Sequence, residues 1–169
     1  QKAEALTAME RFGDALDVHR ETLLLDAPQP STFCYMGECL EHLGDLDEAE
    51  QYYMQCLELD AHFLEAHVGL GVLDDLRQDH AAALEHFAQA LLLHPHHEDT
   101  LLMMATVLKK MERHEDADTC LVQLLECNPK HLEAWEERID NMQALEAHDQ
   151  ALMLLDNAFE HLPPTSTSL

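Results

Sequence analysis

An all-α array of stacked helix pairs is the fold class this sequence predicts, and three observations predict it. Alanine recurs every 34 residues, at Ala15, Ala49, Ala83, Ala117 and Ala151, with no insertion or deletion, and that interval is the length of a two-helix repeat. A large apolar residue follows each of the last four alanines by four positions (Tyr53, Phe87, Leu121, Leu155), and Cys56, Ala90, Leu124 and Ala158 follow by seven. Apolar residues fall three or four apart throughout, as amphipathic helices require, and no alternating strand pattern competes.

On this register, residues 1–29 form a partial repeat lacking its first positions, and 30–63, 64–97, 98–131 and 132–165 are complete repeats. First helices are expected over 31–43, 64–76, 98–111 and 132–145. Second helices are expected over 46–59, 80–93, 114–127 and 148–160. Twelve positions before the alanines, Gly37, Gly71 and Ala105 allow close helix contact, with Ile139 the exception. Gly44 can take the left-handed conformation that ends a helix, and Asp45 with Glu48 has the spacing of a capping box. Pro95 and Pro129 stop second helices, because proline lacks a backbone N–H and clashes with the preceding turn. The tail 163–169, made of Pro, Thr, Ser and one Leu, is expected to be disordered. A chain that begins at Gln1 inside a helix is expected to be cut from a longer protein.

These residues resemble the tetratricopeptide repeat (TPR) family, whose pattern runs W-x2-L-G-x2-Y, then A-x3-F-x2-A, then P. One copy reads Phe33, Met36, Gly37, Leu40, Gly44, Asp45, Ala49, Tyr53, Cys56; the next has Leu70, Gly71, Ala83, Phe87, Ala90, Pro95; the last opens with Trp135. The resemblance implies a right-handed superhelical solenoid of antiparallel helix pairs whose first helices line a concave surface. Carried over position by position, the partner-facing residues would be Cys34, Glu38 and Glu41, then Val68, Val72, Asp75 and Leu76. The third and last complete copies would contribute Leu102, Thr106 and Lys109, then Glu136 and Asp140. The carboxylate clamp found in one TPR subclass needs Lys, Arg and Asn on first helices. Here Cys34, Glu38, Glu65, Gly69 and Met103 stand instead, so a partner peptide or protein with apolar side chains and some Lys or Arg is expected.

Charge narrows the partner class further. Asp and Glu number 34 against 9 Lys and Arg, a formal net charge of −25. Nucleic acid and anionic membrane surfaces are therefore improbable partners, since both need a basic face. The acid is spread over both helices of every repeat and Lys is scarce, which favours adaptation of a halophilic kind over a partner-specific groove. No run of apolar residues is long enough for a membrane helix. Five cysteines form no CxxC pair and read as small buried residues in a reducing, cytoplasmic compartment.

Thirteen histidines invite a metal hypothesis, with His94, His96 and His97 flanking Pro95. Yet no helix carries an i, i+4 histidine pair, and His80, His114 and His148 recur at one repeat position, as His97 and His131 do at another. Repetition at a structural position favours packing, so no metal and no cofactor are expected. Asp74 stands where Leu40, Leu108 and Met142 stand elsewhere, and it must reach solvent or find a partner such as Arg77 or a histidine. His67 stands where Phe33, Leu101 and Trp135 stand. Neither glycine-rich phosphate loops nor a nucleophile elbow is present, and no enzyme is expected. The expected function is a non-catalytic protein-protein interaction scaffold binding in its concave groove. Its alternative is a self-assembling TPR element joined through terminal helices, because Leu152, Leu155, Phe159 and Leu162 have no capping helix beyond them.

Overall fold

The computed structural model describes residues 2–25 and 27–161; the expectation for the tail 163–169 lies outside them. Ten helices and no strand occur among the described residues, grouped in two compact units, Gln1–Leu93 and His94–Leu169. The first unit contains α1 (Lys2–Ala8), α2 (Phe12–Leu25), α3 (Pro30–Leu43), α4 (Leu46–Leu59), α5 (Leu64–Leu76) and α6 (His80–Leu93). The second contains α7 (Glu98–Lys110), α8 (His114–Cys127), α9 (Leu132–Ala144) and α10 (His148–His161). From α3 onward, every helix begins and ends within one residue of its expected position. Inside each unit consecutive helices pack on one another, and in the first unit α3 also touches α5.

The recurring alanines sit at the tightest point of each pair. Ala15, Ala49, Ala83 and Ala117 have no exposed surface, because any larger side chain there would force the two helices apart. Four residues on, Tyr53, Phe87 and Leu121 are buried as well. Their size is matched by the helix they face. A methyl group placed on Gly71 would come within 2.5 Å of the Phe87 ring, and one on Gly37 within 2.8 Å of the Tyr53 ring. Tyr53 also presses against Gly69 of α5, so this one ring fills space between two successive first helices. Where the knob shrinks to Leu121, the facing residue grows to Ala105, and both are buried.

Each turn between a first and a second helix has the same geometry. The Asp45 N–H donates to the Leu40 carbonyl at 2.9 Å and the Gly44 N–H to the Glu41 carbonyl at 3.0 Å, a Schellman closure that needs a left-handed residue between them. Gly44 supplies it with φ 84°. The equivalent positions hold Glu10, Gln78, Glu112 and Glu146, all at positive φ between 56° and 65°. The capping box expected at Asp45 and Glu48 does not form, as the Asp45 side chain caps nothing. Asp45 is already committed to the Schellman closure, and Glu48 is drawn off by Arg20, whose Nη2 donates to it at 3.0 Å.

Two stability predictions follow from this geometry. Gly71→Ala should cost about 1–3 kcal/mol by overpacking, and Phe87→Leu in the same chain should recover most of the loss, as Ala105 coexists with Leu121. Gln78→Gly and Glu112→Gly should each raise stability by about 1 kcal/mol, since a side chain at positive φ is strained. Urea unfolding followed by helical circular dichroism measures all four variants.

Candidate functional site

The residues expected to face a partner lie on four first helices, two in each unit, and their environments differ. In the first unit, Val68 and Val72 of α5 are half-buried and Leu76 is exposed. At spacings of four residues the three form one apolar stripe along the helix. Glu38 and Glu41, one turn apart on α3, are half-buried. Cys34 is not available to a partner: it is 6% exposed, and its thiol lies against Cys56 in the core. Burial pushes the Cys34 thiol above its usual range, and Cys56 is pushed up to about 11, by burial first and then by Asp60. A small, weakly polar side chain at a helix–helix contact packs inward. Asp75 faces the start of α6, with His80 Nδ1 at 3.1 Å from its Oδ1.

Glu41 is the most constrained carboxylate of the face. Tyr53, reaching across from α4, donates its hydroxyl proton to Glu41 Oε2 at 2.9 Å. Burial raises the Glu41 pKa above the ordinary carboxylate value, and the Tyr53 hydrogen bond opposes the rise without cancelling it. The Tyr53 hydroxyl is pushed up in turn, by burial and by the Glu41 charge. Sequence reasoning missed this link, although Gly37 and Gly69 mark the channel through which the ring passes.

In the second unit, Leu102 of α7 is half-buried and the Thr106 hydroxyl donates to the Leu102 carbonyl at 3.0 Å. Lys109 forms an ion pair with Glu137 of α9. Glu136 and Asp140 of α9 are exposed.

The two misfits and the histidines find structural employment. Asp74 Oδ2 lies 3.6 Å from His86 Nε2; Arg77 is taken by Asp47 and Glu50, each at 2.7 Å. Burial raises the Asp74 pKa and His86 works against the rise. His67 Nε2 donates to the carbonyl of Ala61, six residues back, at 3.2 Å, as Trp135 Nε1 does to Pro129 at 2.9 Å. Histidine thus replaces the indole N–H, which explains its place in the pattern. His97 and His131 are helix N-caps, their Nδ1 atoms accepting from the backbone N–H of Thr100 and Ala134. His114 holds the fully buried Asn141, donating from Nδ1 to Oδ1 at 2.8 Å and accepting the Asn141 amide at its own carbonyl at 2.7 Å. The recurrence of histidine at two repeat positions was the available signal for these roles. Among the described residues no group of three or more His, Cys, Asp or Glu side chains is placed to hold a metal ion.

Glu41 supplies a stability prediction. Its folded pKa lies above the unfolded one, so the folded state holds the proton more tightly, and stability from this group is lost as pH rises through the folded value. Glu41→Gln keeps an acceptor for Tyr53 and removes the half-buried charge. The variant should melt higher at neutral pH, and the gain should vanish on acidification below the ordinary glutamate range. Thermal melts across that pH range measure it.

Two family models described as tetratricopeptide repeat match residues 30–63 and 76–137, together more than half of the chain. No curated protein sequence matches it. Among solved structures, a crystal structure of MamA aligns with a TM-score of 0.82, covering 95% of this chain and 94% of that one at 18% identity. MamA from residue 41 to its end, from Desulfovibrio magneticus RS-1, aligns at 0.81 over 94% of this chain and 90% of that one, at 15% identity. YrrB, described as a TPR protein with an unusual peptide-binding site, aligns at 0.73 over 96% and 84%, at 18% identity. At these identities the likeness carries the fold alone. The chain belongs to the tetratricopeptide repeat family.

Proposed function

We propose that this tetratricopeptide repeat chain is a non-catalytic scaffold that receives a peptide or protein partner on its first-helix faces. The observation that carries the reading is the stripe of Val68, Val72 and Leu76, apolar side chains left half-buried or exposed on a helix whose opposite side is core. The peptide-binding site named for YrrB supports it by analogy of fold. We take the repeats as 30–63, 64–97, 98–131 and 132–165, preceded by a partial repeat over 1–29. The partner is apolar or basic rather than a nucleic acid, because a net charge of −25 repels phosphate. No helix among the described residues is long and apolar enough to cross a membrane. The buried thiols of Cys34, Cys39 and Cys56 are compatible with a reducing, cytoplasmic setting.

Self-assembly is the second reading, and a groove at the end of the second unit favours it. Ile139, Gln143, His148, Ala151, Leu152 and Leu155 line a space of about 330 Å³. Leu155 is 40% exposed, whereas its counterparts Tyr53, Phe87 and Leu121 are buried. The side chain of Phe159 and the whole of Leu162, also expected at this end, lie outside the described residues. A second copy docking there would be driven by apolar burial and favoured by salt, which screens the repulsion between two acidic bodies.

Val72→Asp and Leu102→Asp should abolish capture of the cellular partner while leaving helicity nearly intact, whereas Ala83→Asp should unfold the chain by burying an unpaired charge. Circular dichroism with pull-down from the native cell extract separates the two effects. Unfolding by Val72→Asp as severe as by Ala83→Asp would overturn the assignment of this face, and light scattering of the wild type at high salt reads the second reading independently.

A further inference from the structure

Between α5 and α6 lies a cluster of titratable side chains. His67 and Asp74 of α5 and His86 of α6 stand where the preceding repeat has Phe33, Leu40 and Tyr52 and the last repeat has Trp135, Met142 and Leu154. In the preceding repeat these positions make an apolar contact, with the Phe33 and Tyr52 rings stacked at 6.1 Å and Leu40 buried. Here two imidazoles and a carboxylate take their places. The His67 and His86 rings lie 6.2 Å apart, tilted by 35°, and His86 Nε2 is 3.6 Å from Asp74 Oδ2. Asp74 also feels Asp79 in the following turn, Glu50 of α4, and Arg77 at the end of α5, whose guanidinium is held by Glu50 and Asp47. His67 Nε2 donates to the Ala61 carbonyl, so this ring ties the turn after α4 to the first turn of α5. Its Nδ1 is buried and, alone among the buried side-chain nitrogen and oxygen atoms of the described residues, has no hydrogen-bond partner.

This geometry sets an order for protons. Neutral His67 carries its hydrogen on Nε2, where the Ala61 carbonyl accepts it, and that leaves a bare lone pair at Nδ1. A proton on His86 makes an ion pair with Asp74. A second proton can go only to His67 Nδ1, where it meets no acceptor, no access to solvent, and a charged ring 6.2 Å away. We infer that His67 is a proton-operated latch: once both rings are protonated, the His67 ring leaves the Ala61 carbonyl and the joint between α4 and α5 opens. The unfolded chain takes a proton on His67 without this obstacle. Stability from the latch is therefore present above the ordinary histidine range, about 6.5, and is lost as pH falls through it. Phe33, Leu101 and Trp135 hold the equivalent position with side chains that take no proton, so the response is confined to this joint.

Two measurements on the full chain test the latch. His67→Trp copies the arrangement of Trp135, whose Nε1 donates to the Pro129 carbonyl, and so keeps the bond while removing the titration. In urea unfolding at a series of pH values, the folding equilibrium constant of the wild type should fall relative to this variant by roughly tenfold per pH unit below the histidine range, the slope for one linked proton. The other twelve histidines are common to both chains and cancel. His86→Tyr, which copies the Phe33 and Tyr52 contact on one side, should reduce the fall because the opposing charge is gone. The second measurement needs no variant: in NMR titration of the wild type, the His67 ring signals and the backbone amides of Ala61, His62 and Phe63 should shift together. Parallel curves for wild type and His67→Trp would overturn the latch, as would a wild type that gains on the variant in acid, where the Asp74–His86 pair would outweigh it. An unchanged response in His86→Tyr would overturn the coupling of the two rings. Should the His67 ring take its proton while the amides of 61–63 stay still, the latch is overturned even where His67→Trp fails to fold.

Discussion

The Tyr53 ring occupies the space that a side chain on Gly37 or Gly69 would need, and Phe87 does the same at Gly71. This matching of a large knob on the second helix to a small residue on the first sets how closely the helices approach, and most other features follow from that approach. It leaves room at the crossing only for alanine, hence the fully buried Ala49 and Ala83. It also delivers the Tyr53 hydroxyl to Glu41, so that a packing residue becomes a positioning residue for the proposed partner face. Because interiors are packed near crystal density, the knob and its socket change together, as Leu121 with Ala105 shows inside the same chain.

Charge is organised around this apolar spine. The arginines do not balance the acid generally: Arg20 to Glu48, Arg77 to Asp47 and Glu50, and Arg138 to Asp118 bridge between helices, while Arg11 and Arg113 pair locally with Asp14 and Asp116. Exposed pairs of this kind each contribute about 0–1 kcal/mol, so their main effect is on where positive charge is absent. On α3, Glu38 and Glu41 stay half-buried, and the burial that raises the Glu41 pKa is a stability cost at neutral pH. Histidine takes over local polar duties instead, capping helices at His97 and His131 and satisfying Asn141 from His114.

Much of the fold was legible because the repeat supplies five superimposed copies of one message. A lone alanine or glycine says little, but the same type at a 34-residue interval averages out local noise and marks the helix crossing. Helix limits were legible for the same reason. The turn chemistry was only partly so. Gly44 announces a left-handed residue, whereas Gln78 and Glu112 hold the same φ with no local signal, because the Schellman closure imposed by the packed pair overrides the propensity of one residue. The capping box failed on similar grounds, since Glu48 found a better partner in Arg20.

The sequence by itself determined the fold class, the helix limits from α3 onward, the buried alanines, the knobs Tyr53, Phe87 and Leu121, and the net acidity of the chain. These are properties of period and composition, and they need no knowledge of which side chains meet. Only the tertiary structure decided that Cys34 turns into the core, that Tyr53 orients Glu41, that Lys109 is neutralised by Glu137, and that His67 reproduces the hydrogen bond of Trp135. Each of those outcomes depends on atoms brought together from separate turns and helices at hydrogen-bond or packing distance. Directional contacts fall off within an ångström, a resolution that residue spacing along a chain does not carry.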